Sequence, residues 1–597
     1  MTPQEVLKTY WHYDNFRPLQ AEIIQSVLDG RDTLALMPTG GGKSLCFQVP
    51  TMVMGGLCLV VTPLIALMKD QVENLYQRDI RATAIYTGMS AEQQKIALDN
   101  CQFGPYHFLY VSPERLGSEE FRERLPRLPI CLIAVDEAHC ISQWGYDFRP
   151  SYLRIAEIRD LIRPFQDEKR VPVLALTATA TPEVVDDIQD KLSFSALHVL
   201  KKSFARTNLS YVVRHTNKKA DEIVHILSKV QGSAIVYVRN RQRAKELAEY
   251  LIEHGLSADY YHAGLPPAER TAKQNAWKNY NAEQPTPSLR GTGGVRIMVC
   301  TNAFGMGIDK PDVRMVIHHD LPDTIEAYFQ EAGRAGRDEK PAYAVLLYDV
   351  SDKTKARKRI GDNYPPKAFV EDVYQKTCDF LSVGAGSGQG HTFFLNMSEL
   401  CRVMHLSLLP TYSALNLLTQ AGYIDFQPEQ EIQPRVQIRV SRQEIGQYAL
   451  SRQQELLLEL LMRRYPGIFT DLQYIHDFKH IASQIAAMAG TEREYADFHA
   501  LLVSLAQRHI IYYIPRETAN TLTFMRDRQT DIYLPVSVYE DRQARYAERL
   551  KAMVEYAENQ QFCRSQLLLA YFGETDAAPC GTCDICRAHA KAEKVNP

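Results

Sequence analysis

This chain of 597 residues has no excess of positive charge: 68 lysines and arginines stand against 71 aspartates and glutamates, a formal net charge of −3. Bulk attraction to nucleic acid or to an anionic membrane is therefore excluded, and any polyanion site has to be a local basic patch. An unbroken membrane-length apolar run is also lacking. The stretch Ser44 to Met68 carries no Asp, Glu, Lys or Arg, yet Pro50, Gly55, Gly56 and Pro63 interrupt it. It reads as the end of a helix, a turn and a buried strand, Leu57 to Thr62. The opening residues Met1-Thr2-Pro3-Gln4-Glu5 lack the basic patch and apolar core of an export signal. A cytoplasmic location and no membrane partner are expected. Twelve cysteines without such a signal are expected as reduced thiols. Eight are scattered and read as small buried apolar residues; the last four are clustered. Hydrophobic residues at 45% and charged residues at 23% exclude a mainly disordered chain. The length suggests about four domains at roughly 150 residues each.

What is present is an alternation of short apolar runs with helix-like stretches. Between Arg31 and about Ala180 the runs are Thr33 to Met37, Leu57 to Thr62, His107 to Ser112, Ile130 to Val135 and Val173 to Thr177. The pattern restarts with Ser233 to Val238, Ala258 to His262, Val295 to Cys300, Val313 to His318 and Ala342 to Tyr348. Near-continuous apolar strands separated by helices indicate parallel sheets covered on both faces. An α/β chain with two tandem domains, 1–205 and 206–350, is expected, joined near Ser203 to Asn208. Asn279 to Gly294 is turn-rich and reads as a surface loop. A basic run, Lys353, Lys355, Arg357, Lys358 and Arg359, leads to Tyr364-Pro365-Pro366, so 351–366 reads as a basic linker. Two helix-rich segments follow, 367–445 and 446–540. Each has a helix followed by strand-like sequence (Leu415 to Phe426; Leu501 to Tyr513), which fits either winged-helix modules or a helical interaction domain. A helical unit, 541–597, holds the clustered cysteines.

Met37-Pro38-Thr39-Gly40-Gly41-Gly42-Lys43-Ser44 falls between a strand and a helix. Glycines let backbone N–H groups converge on phosphate oxygens. Thr39, Gly40, Gly41 and Gly42 form the candidate cradle. Lys43 would neutralise β/γ-phosphate charge, and the Ser44 hydroxyl would ligate magnesium. The strict phosphate-loop pattern has glycine where this chain has Met37. Asp136-Glu137-Ala138-His139 follows the run ending at Val135, at the strand end where such sheets place ligand chemistry. Asp136 would hold magnesium, and Glu137 would accept a proton from the attacking water or orient it. In Gln330-Glu331-Ala332-Gly333-Arg334-Ala335-Gly336-Arg337 the two arginines share one face. From a facing domain they would stabilise transition-state charge.

In this order the motifs resemble a superfamily 2 helicase and, more closely, the RecQ DNA helicases. Phe16-Arg17-Pro18-Leu19-Gln20 with Tyr13 resembles the RecQ nucleotide motif. That likeness implies that Tyr13 stacks on adenine while Arg17 and Gln20 read its edge. The stretches Thr62 to Gln71, Ser112 to Leu116, Leu176 to Ala180 and Thr301 to Pro311 resemble intervening helicase motifs, and they add Gly307 and Asp309 to the ATP site and Lys69 to the DNA path. Cys140-Ile141-Ser142-Gln143-Trp144-Gly145-Tyr146-Asp147-Phe148-Arg149-Pro150 is the most RecQ-specific element. Its aromatic faces and cation suit stacking on bases of any sequence, so Trp144, Phe148 and Arg149 are candidate DNA contacts. The resemblance covers about Leu7 to Asp349. It implies two RecA-like domains, ATP hydrolysis, 3′→5′ movement, and single-stranded and tailed or forked duplex DNA as partner. An RNA helicase or remodelling ATPase on the same core, and a non-catalytic DNA-binding scaffold, are the rival readings.

Cys563, Cys580, Cys583 and Cys586 have the spacing C-x16-C-x2-C-x2-C, which suits tetrahedral structural zinc. Phe562 to Glu574 and Cys580 to Cys586 also resemble the RecQ zinc module. The order departs from that family, where the zinc module directly follows the helicase core; here about 190 residues, Asp349 to Arg542, intervene.

Overall fold

The structure, a computed structural model, describes the chain except residues 39, 87, 88, 90, 143, 144, 146, 147, 163–169, 281–293, 305–309, 433, 476–480, 482, 486–494, 515, 516, 596 and 597. The expected surface loop at 279–294 falls almost wholly outside the described residues. The chain divides into two compact units, Met1–Lys358 with Ala544–Pro597, and Arg359–Gln543.

The first unit contains two parallel sheets. Strands β1 (Thr33–Leu36), β2 (Leu57–Val61), β3 (Ala82–Ile85), β4 (Phe108–Val111), β5 (Ile130–Val135), β6 (Val173–Thr177) and β7 (Val199–Lys201) are ordered β3-β4-β2-β5-β6-β1-β7. Every pairing is parallel, with Ala35 opposite Leu176 and Leu34 opposite Val199. The five expected strands are buried throughout, as both-face coverage by helices requires. The unexpected β3 and β7 are edge strands with partly exposed residues, so neither forms an apolar run. Asp32, just before β1, is buried and accepts from Arg159 Nη2 (2.6 Å), Arg159 Nη1 (3.2 Å), Val173 N (3.0 Å) and Ser195 N (2.9 Å). It thereby joins the beginnings of β1 and β6.

The second sheet comprises β8 (Leu209–His215), β9 (Ser233–Tyr237), β10 (Ala258–Tyr261), β11 (Ile297–Cys300), β12 (Val313–His318) and β13 (Ala342–Tyr348), ordered β10-β11-β9-β12-β13-β8 and all parallel. The chain passes from β7 to β8 through Lys202 to Asn208. The cysteine unit belongs to the same compact body as these sheets despite its distance in sequence.

The second unit differs from two sequential segments. Strands β14 (Thr392–Leu395), β15 (Ile424–Ile432) and β19 (Glu517–Phe524) form one antiparallel sheet; β16 (Arg435–Ile438), β17 (Gln473–Tyr474) and β18 (Ile511–Ile514) form another. Because β15 pairs with β19, the second module, about 434–514, is inserted at the tip of a hairpin of the first. The cores confirm the nesting: Val370, Leu415, Leu418, Leu522 and Phe524 pack together, as do Val436, Leu457, Leu461, Leu502 and Ile511. The boundary expected at 445/446 therefore does not separate the modules, since a linear reading has no signal for a strand pairing across 84 intervening positions. The basic residues 353–359 lie in a helix, Val350–Asn363. Among the described residues, no helix is long and apolar enough to cross a membrane.

Candidate nucleotide cleft and four-cysteine centre

The cleft lies between the two parallel-sheet domains, a cavity of about 490 Å³ whose lining includes Tyr13, Arg17, Gln20, Lys43, Ser44, Asp136, Glu137, Gln330, Arg334 and Arg337. The loop after β1 supplies its floor. Gly40 and Gly42 hold φ of +82° and +78°, a region open to glycine and strained for other residues. Arg337 crosses from the second domain against this loop, so that a Cβ at Gly40 would stand 3.1 Å from Arg337 Cγ. Thr39 lies outside the described residues.

Arg17 and Gln20 line the cleft beside Tyr13 and also hold its loop. The Arg17 guanidinium donates to Gly40 O (2.8 Å), and the Gln20 amide donates to Gly42 O (3.0 Å) while accepting from Arg17 N (2.9 Å). Both residues clamp the phosphate loop. Tyr13 stands on the rim, 55% exposed, with its ring available for stacking.

At the end of β5, Glu137 adopts φ 48° and ψ 47°, a left-handed conformation that costs a non-glycine residue about 1–3 kcal/mol and is typical of functional turns. Its Oε1 lies 3.8 Å from Lys43 Nζ and its Oε2 3.4 Å from His139 Nδ1, and His139 Nδ1 is 2.9 Å from Thr177 Oγ1. Burial works against ionisation of Glu137, but Lys43, His139 and Arg334 outweigh it and hold the carboxyl below its ordinary range. Asp136 is pushed up to about 6 by burial and by the neighbouring Glu137 charge. Two adjacent carboxylates with a serine hydroxyl nearby form an all-oxygen donor set of the kind that suits magnesium, and a divalent cation would relieve the repulsion that raises Asp136.

The arginine segment is set by the helix Ile325–Ala332, which Thr324 caps by accepting from Ala327 N at 3.0 Å. Gln330 and Arg334 are largely buried, and Arg334 is close enough to Glu137 to favour its charge. Two residues that the sequence did not single out hold the turn after this helix. Arg206 donates to the carbonyls of Gly333 (3.2 Å), Ala335 (2.9 Å) and Gly336 (2.9 Å), and Asn208 donates to Gly336 O (2.7 Å). No local motif marks them, because their partners lie far along the chain.

Of the candidate DNA contacts, Lys69 is exposed on the helix Ile65–Tyr76 with its ammonium 4.9 Å from the centre of the Tyr86 ring. Phe148 and Arg149 are partly buried, and Arg149 N donates to Cys140 O at 2.8 Å. Trp144 falls outside the described residues, as do Gly307 and Asp309.

The sulfurs of Cys563, Cys580, Cys583 and Cys586 all lie within 4.8 Å of one another. Backbone N–H groups point at them: Cys580 N to Cys563 Sγ (3.3 Å), Cys583 N to Cys580 Sγ (3.4 Å) and Cys586 N to Cys583 Sγ (3.3 Å). Against the effect of burial, the Thr582 N–H and hydroxyl and the Cys583 N–H bring the Cys580 thiol down to about 7. Burial and the neighbouring sulfurs of Cys583 and Cys563 push Cys586 up to about 12. Four converging sulfurs fit a tetrahedral zinc ion, which would draw all four into the thiolate form. Buried Arg564 braces the centre, donating to the Asp584 carboxylate (Nε 3.1 Å, Nη2 3.0 Å) and to Tyr556 O.

Two parallel-sheet domains with a phosphate loop, an Asp-Glu-Ala-His strand end and facing arginines define a DEAD/DEAH-box helicase core. Comparison with known families agrees: "DEAD/DEAH box helicase" matches residues 17–188, "Helicase conserved C-terminal domain" 218–339, "RecQ helicase winged-helix domain, Bacteroidota" 436–515 and "RecQ zinc-binding" 517–587. The chain belongs to the RecQ family. It is 41% identical over 411 residues to "ATP-dependent DNA helicase RecQ" of Haemophilus influenzae, covering 67% of this chain and 63% of that protein. To "Probable ATP-dependent DNA helicase RecS" of Bacillus subtilis it is 40% identical over 354 residues, covering 58% and 67% respectively. The match to the Pasteurella multocida RecQ, at 39% identity, covers 59% of this chain and 53% of that one. The winged-helix match coincides with the inserted module, which favours that reading of it over a generic helical domain.

Proposed function

We propose that this chain is an ATP-dependent DNA helicase that translocates 3′→5′ on a single strand and separates duplex ahead of it, in the service of DNA repair and recombination. One observation carries the reading: Lys43, Asp136 and Glu137 of one domain meet Gln330, Arg334 and Arg337 of the other in a single cleft. Lys43 and the loop N–H groups would hold the β- and γ-phosphates. Ser44 and Asp136 would hold magnesium, which supplies charge neutralisation on the phosphates when bound. Glu137, freed from Lys43 by the incoming phosphates, would take the proton of the attacking water. Arg334 and Arg337 would stabilise the departing phosphoryl charge, a contribution of about 10³–10⁵ in rate where such arginines have been removed. Their placement on the second domain ties hydrolysis to closure of the cleft, and Lys69, Trp144, Phe148 and Arg149 would grip DNA during that motion. A bound zinc would have a folding role, since four cysteines leave no open coordination position.

Unwinding assays on 3′-tailed and 5′-tailed duplexes, with and without ATP, test the proposal. ATP-dependent separation of the 3′-tailed duplex is the expected result. Stimulation of ATP turnover by RNA oligomers but not DNA oligomers would move the reading to an RNA helicase, and absence of turnover would leave only a scaffold.

A further inference from the structure

The turn Tyr571-Phe572-Gly573-Glu574 belongs to the cysteine unit but supplies no zinc ligand. Its contacts lead elsewhere. Glu574 accepts from Ser203 Oγ (2.7 Å, to Oε2) and from Phe204 N (3.0 Å, to Oε1), while Ala205 N donates to Ser203 Oγ at 3.1 Å. One carboxylate thus fixes two successive residues, Ser203 and Phe204, of the link between the two motor domains, and Ser203 in turn holds Ala205 N. Lys201, at the end of β7, lies 3.6 Å from Glu574 Oε1 and donates to Phe572 O at 3.2 Å.

The link is held from its other side by the arginine segment. Phe204, Phe329 and Phe572 form a three-ring cluster with centroids 5.0 to 6.1 Å apart. Phe329 directly precedes Gln330. Arg206, two residues beyond Phe204, grips the carbonyls of Gly333, Ala335 and Gly336, which flank Arg334 and precede Arg337. Contacts therefore run without a gap from Glu574 through Ser203 and Phe204 to Arg206 and the arginine turn. An ion pair as open as Lys201–Glu574 contributes little to stability. The position of the carboxylate matters more than its strength, since it sets the path of the link.

Resting on the ATPase reading above, we propose that Glu574 is a positioning residue for hydrolysis: by fixing Ser203 and Phe204 it sets the linker, and through Arg206 the turn that carries Arg334 and Arg337 into the cleft. Arginines that act on transition-state charge are sensitive to small displacements, and ground-state nucleotide binding on the first domain is not. Glu574→Ala should lower kcat for DNA-stimulated ATP hydrolysis about tenfold or more, with ADP affinity within about twofold of the parent and zinc still stoichiometric. Glu574→Gln keeps an acceptor for Phe204 N and a partner for Ser203 and should restore most of the rate. In an Arg334→Ala, Arg337→Ala background, Glu574→Ala should add less than about a twofold loss to the residual turnover, because it acts through those two groups. Parental turnover in Glu574→Ala, a loss undiminished in the Arg334→Ala, Arg337→Ala background, or a parallel loss of ADP affinity would overturn the proposal. Should Glu574→Ala lose zinc, Ser203→Ala decides alone. It lies outside the cysteine unit and should turn over about threefold more slowly, and an unchanged rate refutes the proposal. If the parent chain itself hydrolyses no ATP, the helicase reading fails and takes this proposal with it.

Discussion

Lys43 Nζ lies 3.8 Å from Glu137 Oε1, so the cation proposed to meet phosphates is paired with the carboxylate proposed to act on water. Phosphates entering the cleft would compete for that lysine and would release the base only when nucleotide is present. Lys43→Ala should abolish ATP binding and unwinding together. Glu137→Gln should still bind ATP but lose about 10²–10⁴ in turnover, the usual worth of a general base. Nucleotide binding measured beside steady-state ATPase separates the two, and equal loss of binding in both variants contradicts the assignment.

Arg334 faces Glu137 from the second domain. Arg334→Ala should reduce kcat by about 10³ or more while ADP binding changes little, since on the proposed reading the guanidinium would serve charge that develops only in the transition state. A variant with parental kcat would place the arginine outside the reaction.

Asp136 gives a pH signature. Its carboxyl is raised to about 6 by burial and by Glu137, so the folded protein binds a proton there more tightly than the unfolded chain does. Such a group favours folding at low pH and penalises it as pH rises from about 4 to 6 and beyond. In magnesium-free buffer, Asp136→Asn should melt higher than the parent at pH 8 and lose that advantage near pH 4. Thermal melts across this range check the sign, and a variant less stable at pH 8 contradicts it.

The cysteine centre should hold one zinc per chain. Cys583→Ser, or removal of metal by a strong chelator, should lower the melting temperature and release the Phe572 side chain from Phe204 and Phe329. Replacing Phe572, which is 1% exposed, by alanine should cost about 3–5 kcal/mol with zinc retained. Metal content and denaturant titration report the two effects separately.

Nesting of the modules in the second unit can be tested by excision. Ile432 pairs with Glu517 across the β15–β19 ladder, so the strand ends that flank the inserted module are adjacent. Replacing 433–516 by Asn-Gly, a favoured two-residue hairpin connection, should leave the Val370–Phe524 core folded and cooperative in a thermal melt. Loss of cooperative unfolding would show that the two modules depend on each other.

Ten of the thirteen parallel strands were legible because strands buried on both faces become continuous apolar runs. Strands β3, β7 and β8, all at sheet edges with partly exposed residues, were not, although the edge strand β10 was. The phosphate loop, the Asp136-Glu137 pair, the arginine turn and the four cysteines could be read because close spacing is itself the requirement of their chemistry. Arg206, Asn208 and Glu574 escaped notice, each having partners more than 100 positions away.

By itself, the sequence determined the chemistry of this protein and its family. Loop glycines, paired carboxylates and clustered thiols are local arrangements, and a local arrangement is written in consecutive residues. Only the tertiary structure decided how those parts are joined. Packing of the second domain against the first brings Arg334 near Glu137, pairing of β15 with β19 nests one module inside another, and docking of the Phe572–Glu574 turn sets the linker. Each depends on packing between segments distant in the chain, and packing is settled by shape and burial in three dimensions, for which residue order carries no direct sign.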